Sequence, residues 1–147
     1  MDSRRVAPLV GIVSSLAVVA VLVVPYLVVD EGASVSTYYA AGVLTPWAVG
    51  VLALVAVIVF AAGRERRTDP EMAAGVGLGL GLVMFVVAVI WAVTVDATIP
   101  LQLTADDPIV GPLTTGVVLE YHRWAFALVT FATTVAGGWY ARALGLL

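Results

Sequence analysis

Four long stretches of the chain carry no charged side chain, and that pattern restricts the possible folds more than any other feature. A helix rises 1.5 Å per residue and a bilayer's hydrocarbon core is about 30 Å thick, so about 20 apolar residues in helical form cross it once. Val6 to Val29 is a charge-free run of 24 residues. A second segment extends from Gly32 to Gly63, its helix expected to begin near Tyr39 or Ala40, and Met72 to Val95 is the third. The fourth runs from Trp124 to Ala141 and extends backwards as helix through Gly116 or Val117. The expected fold is therefore an all-α membrane protein. A single transmembrane domain over residues 1–147 forms a four-helix bundle, with helices at about 6–29, 40–62, 70–95 and 117–144.

Composition excludes several function classes. Of 147 residues, 62% are hydrophobic and 12% charged, against about 25% charged in a soluble domain, so an ordinary water-soluble enzyme or binding domain is ruled out. Without cysteine there is no disulfide, thiolate nucleophile or iron–sulfur cluster. One histidine rules out bis-histidine haem within a single chain and, with no cysteine, argues against a complete zinc site. All seven basic residues are arginine, the net charge is -3, and no basic stripe invites a nucleic acid. The sequence thus predicts no catalytic residue, metal or cofactor, and its partners are the lipid bilayer and a second copy or another membrane protein.

Orientation follows from the arginines, because cytoplasmic flanks carry the Lys/Arg excess. Arg4, Arg5, Arg64, Arg66, Arg67 and Arg142 fall on the side shared by both termini and the middle loop, and only Arg123 falls opposite. Both termini are expected in the cytoplasm of a multi-pass cell-membrane protein. Ser3-Arg4-Arg5 resembles the start of a twin-arginine leader, yet the following run is far longer than a 7–15-residue signal core and no A-x-A-like site ends it. An uncleaved first span is expected.

Thr68-Asp69-Pro70-Glu71 is the clearest helix start, with a capping side chain, proline at the first helical position and an acid in the first turn. Pro8 is expected in the first turn of the first helix and Pro25 near its outer end, where a kink is expected. Tyr38, Tyr39, Trp47, Trp91, Tyr121 and Trp124 read as an outer interfacial belt, and Phe60, Trp139 and Tyr140 as an inner one. Between the third and fourth helices lies an outer loop of about 20 residues, Asp96 to Thr115. In it Ile99, Leu101 and Leu103 alternate with Pro100, Gln102 and Thr104, which is strand periodicity, but Pro100 argues against a central strand and a flap over the helix ends is expected rather than a free loop. Asp96, Asp106, Asp107 and Glu120 read as a solvated acidic exterior, with no spacing typical of a cation-binding loop.

Small residues at four-residue spacing let helices approach closely in lipid. Gly75, Gly77, Gly79 and Gly81 make two overlapping G-x-x-x-G pairs, Gly11 and Ser15 continue such a face on the first helix, and Thr130, Thr134 and Gly137 on the fourth. All are expected in helix seams, with a homodimer face on the third helix as the sharper reading. The one chemically varied cluster is Glu120-Tyr121-His122-Arg123-Trp124. Glu120 and Arg123, three apart, can pair on one helical face, whereas Glu120 and His122 diverge as metal ligands. An interfacial belt with a snorkelling Arg123 is the expected role. No Asp, Glu, His, Arg or Lys lies between Val6 and Val29, Ala40 and Ala62, Met72 and Val95, or Trp124 and Ala141, which disfavours ion-coupled transport.

Arginine without lysine, an Ala/Val/Gly-rich membrane vocabulary and outer acids such as Asp30-Glu31 and Asp106-Asp107 resemble the small uncharacterised four-helix membrane proteins of haloarchaea along the whole chain. The resemblance implies a location and no activity. The functional expectation is a structural or accessory membrane protein without catalysis, packing with itself or a membrane partner. The alternative is a small uncoupled transporter or oligomeric pore lined by Thr130 and Thr134. An outer-face enzyme using Glu120, His122 and Asp106 ranks third.

Overall fold

The computed structural model describes residues 2–29, 32–95 and 108–147. Among them are five helices and a short hairpin: α1 (Ser3–Val28), α2 (Gly32–Ala40), α3 (Trp47–Arg64), α4 (Pro70–Thr94), β1 (Pro108–Val110), β2 (Leu113–Thr114) and α5 (Thr115–Leu144). Helix ends follow local capping chemistry. α1 begins ahead of the apolar run because the Asp2 carboxylate accepts the Arg4 N–H at 3.1 Å. Pro8 consequently lies in the second turn rather than the first. α4 starts at the expected signal, Asp69 accepting the Glu71 N–H at 3.1 Å ahead of Pro70. α5 is capped by Thr114, whose hydroxyl accepts the Val117 N–H at 3.4 Å. It ends at Gly145, whose φ of 82° is left-handed, so that Leu146 N–H closes onto the Ala141 carbonyl at 3.0 Å.

One boundary differs from expectation. The helix expected from residue 40 starts seven residues later: a short α2 ends at Ala40, the chain bends through 41–46, and α3 begins only at Trp47. Pro46 is the reason, since its ring disfavours a helical Thr45 and it brings no N–H for a continuing helix. At nine residues α2 is too short to cross a bilayer. Of the expected outer loop, β1 and β2 form an antiparallel hairpin pairing Val110 with Leu113 around Gly111, whose φ is 56°. Residues 96–107, with the Ile99–Leu103 alternation and Asp96, Asp106 and Asp107, lie outside the described residues.

The four long helices form a closed ring in cross-section: α1 packs on α3 and α5, and α4 packs on the same two. Consecutive long helices are therefore neighbours. Fully buried Phe60 of α3 fills the middle of the ring near the chain termini, and a Cβ on Gly11 of α1 or Gly77 of α4 would come within 2.7 Å of its ring. The closest seam joins α4 and α5, where backbones touch. A Cβ on Gly81 would lie 2.7 Å from Thr134 Cα, and one on Gly137 2.7 Å from the Leu78 backbone. Thr133 Oγ1 donates to Ser14 Oγ at 3.1 Å, linking α5 to α1 inside the ring.

α1, α3 and α4 are each long and apolar enough to cross a membrane, with mean hydropathies of 2.6, 2.2 and 2.6, consistent with a membrane protein. α5 is the longest helix at 30 residues. Thr130, Thr133, Thr134 and two glycines on its packed side make it less apolar.

Candidate functional site

The ring is most varied chemically at the end that carries the β-hairpin, and the arrangement starts with Pro25. Inside α1 this proline has no N–H, so the Val21 carbonyl four residues earlier loses its helical donor. His122 of α5 replaces it, with Nε2 2.7 Å from Val21 O. A carbonyl only accepts, so Nε2 carries the proton and the neutral ring presents Nδ1 as an acceptor. The Tyr38 hydroxyl lies 3.0 Å from Nδ1 and 3.2 Å from the Leu119 carbonyl, with one proton to share between them. One residue along α1, the Tyr39 hydroxyl donates to the Leu22 carbonyl at 2.6 Å. His122, only 4% exposed, thus joins α1, α2 and α5.

Aromatic rings enclose these bonds. Trp91 of α4 meets Tyr38 edge-on at 5.3 Å and Phe126 at 5.8 Å, while His122 lies parallel to Phe126 at 6.4 Å. Tyr38, Tyr39 and Trp91 are fully buried. That corrects the reading of these three as members of an outer interfacial belt. The break before α3 turns α2 inward and packs its tyrosines against Trp91. Gly42 makes room for this, since a Cβ there would lie 2.4 Å from the Trp91 ring. Burial pushes both phenols of α2 well above their ordinary range, opposed at Tyr38 by the Arg123 charge, so both hydroxyls remain donors.

Arg123 is placed differently from expectation. Among the described residues it forms no ion pair with Glu120. Its Nη1 donates instead to the Val95 carbonyl at 3.0 Å, with Ala92 O at 3.5 Å, and its guanidinium lies over Trp124 at 5.6 Å. The last carbonyls of α4 have no helical donor and carry the negative end of its dipole, so a cation lodges there. Glu120 is half-buried on the preceding turn. Beside His122, an apolar groove of about 290 Å³ between α1 and α5 is lined by Val21, Val24, Val117 and Tyr121. Both nitrogens of His122 are engaged, and no group of three His, Asp or Glu residues converges on a metal position among the described residues.

The profile of a family of unknown function, DUF7548, matches residues 1–145. The chain belongs to that family. No curated protein and no solved structure matches the chain significantly.

The small residues singled out from the sequence divide between two environments. Gly11, Gly77, Gly81 and Gly137 meet neighbouring helices within 2.7 Å of an added Cβ. Ser15 is fully buried on α1 with its hydroxyl unpartnered, and Thr130 is fully buried on α5. The Thr130 hydroxyl donates to the Ala127 carbonyl at 2.8 Å and that of Thr134 to Thr130 O at 3.2 Å. Gly75 and Gly79 face outwards, with nothing within 4 Å of an added Cβ. The Pro25–His122 link escaped the sequence reading, although a proline within an apolar helix always leaves a carbonyl needing a donor.

Proposed function

We propose that the chain is a non-catalytic scaffold of four membrane spans that packs with a second copy or another membrane protein through the outer face of α4. The carrying observation is the division of the α4 glycines. Gly77 and Gly81 are used inside the ring, while Gly75 and Gly79, also four apart, present bare backbone outwards among exposed Met72, Val76, Leu82 and Val83. Such a face admits a second helix at close range in lipid.

The fourth span rests on the exterior of α5. Tyr121, Trp124, Leu128, Phe131, Val135 and Trp139 recur every three or four residues and are all exposed, giving an apolar strip with aromatic side chains at both ends. Trp124 and Trp139, 15 residues apart, span about 22 Å along the axis, which suits the two interfaces of one crossing. Four crossings bring both termini to one side, and the six arginines gathered there support a cytoplasmic placement. Arginine in place of lysine and acidic outer positions support a haloarchaeal cell membrane as the setting.

A pore lined by Thr130 and Thr134 is the weaker reading, because both hydroxyls turn back onto carbonyls of their own helix. Crosslinking in native membranes tests the scaffold. The wild-type chain should be captured with itself or a membrane partner, and Gly75→Leu with Gly79→Leu should reduce capture severalfold without altering the fold. Isolation as a lone monomer with no crosslinked partner would end this reading.

A further inference from the structure

A second cavity lies at the opposite end of the ring, where the chain begins and ends. It encloses about 460 Å³, within the usual range of about 300–1,000 Å³ for small-molecule sites. Its walls bring Arg4 and Arg5 from the start of α1 together with Arg64 and Arg66 from the end of α3 and the turn beyond it, with Tyr140 of α5 beneath them. The lining thus holds four arginines and two acids, Asp2 and Glu65. Glu65 pairs at 2.9 Å with Arg67, which does not line the cavity, and Asp2 caps α1 through the Arg4 N–H while keeping its charge, so the lining retains an excess of positive charge. That pair is the only ion pair among the described residues.

The cavity is built into the fold. Arg4 is held across the opening by its Nε–H, which donates to the Ala143 carbonyl of α5 at 3.2 Å. Arg66 sits in the left-handed region at φ 56°, an unfavourable conformation for a side-chain-bearing residue that turns the chain back toward α4. Gly63 is buried at the wall, where a Cβ would lie 2.5 Å from Ala73 Cβ and 3.1 Å from the Tyr140 hydroxyl. α1 and α4 begin at this end while α3 and α5 finish here, so the helix dipoles offset one another and the arginines carry the positive charge. An excess of forked, permanently charged donors around a concave space matches the oxygens of a phosphate group.

We propose that this arginine pocket binds a phosphate ester, supplied as the head group of an anionic lipid in the leaflet that surrounds it. The membrane reading above enters only through the source of the phosphate. The rim of the ring at this end would lie at head-group depth, and basic pockets between spans on the cytoplasmic side are suited to anionic head groups.

Native mass spectrometry of the full chain released from detergent, titrated with phosphatidylglycerol or phosphatidylcholine, tests the site. Wild-type protein should retain phosphatidylglycerol in preference. Each charge contributes about 1 kcal/mol near such a surface, so Arg5→Gln or Arg64→Gln should weaken retention about fivefold and the double variant about 25-fold. Arg142→Gln removes a charge at the same end of the ring but outside the cavity lining and should leave the preference intact. Both arginines are exposed, so the variants should keep the wild-type melting temperature in lipid-free detergent. No preference for phosphatidylglycerol, or an equal loss with Arg142→Gln, overturns the pocket. Glycerol phosphate then separates the sources. If a millimolar concentration fails to displace the bound lipid, the lipid assignment stands; if it displaces the lipid, the site belongs to a soluble phosphate ester and the lipid assignment is overturned.

Discussion

A single missing N–H shapes the hairpin end of this molecule. Pro25 removes the helical donor of Val21 O, and His122 answers with an N–H of its own while Tyr38 occupies the other ring nitrogen. The two residues should therefore be coupled energetically. His122→Phe keeps an aromatic ring next to Phe126 but leaves the Val21 carbonyl without a donor, a loss of about 1–2 kcal/mol. Pro25→Ala returns an N–H to that carbonyl, so in its background the same His122→Phe change should cost about 1 kcal/mol less. Reversible unfolding in detergent of the four proteins of this cycle measures the difference, and strictly additive losses would mean that His122 has another purpose. In the sequence, His122 stood out as the sole histidine next to Arg123, and a polar belt was the natural reading. Its actual partner lies 101 residues away on α1, a separation that no local pattern reports.

Among the helices, seams are set by where backbone can touch backbone. At Gly81 the neighbour of an added Cβ is Thr134 Cα, which cannot swing aside as a side chain can. Gly81→Ala should force α4 and α5 apart and cost about 1–3 kcal/mol, the range for overpacking a filled site. Gly79→Ala, two residues earlier with open space around it, should leave the isolated protein as stable as wild type or raise its stability by up to about 1 kcal/mol through helix propensity. Comparing melting temperatures of the two variants in dilute detergent is sufficient, and equal losses at both positions would refute the assigned seam. All four α4 glycines look alike in the sequence, forming two interleaved pairs with the same spacing. Only the rotation of α4 within the ring divides them into inner and outer sets. The start of α4 was legible because Asp69 and Pro70 act through atoms within two residues. The split of α2 from α3 was less so, since Pro46 marks a break without saying where the preceding turn will go.

For the molecule as a whole, topology is the property with the widest consequences. The natural chain has no cysteine, so single cysteines report cleanly. Val110→Cys, at an exposed hairpin position, should react with a membrane-impermeant maleimide added outside intact cells, whereas Arg67→Cys and Leu147→Cys should react only after permeabilisation. Labelling of Arg67→Cys and Leu147→Cys from opposite sides would mean that α5 does not cross. Length, charge-free runs and arginine placement are additive, one-dimensional quantities, because each is a property of one segment taken by itself. The sequence by itself therefore determined the helical class, the positions of the long apolar helices and the gathering of six arginines at one end. The tertiary structure alone decided which faces of those helices are spent on one another. It placed Tyr38, Tyr39 and Trp91 in the interior, turned Gly75 and Gly79 outwards, and closed Arg4, Arg5, Arg64 and Arg66 around one cavity. Those outcomes depend on contacts between segments distant in the chain, where the free energy belongs to the pair and cannot be assigned to either residue beforehand.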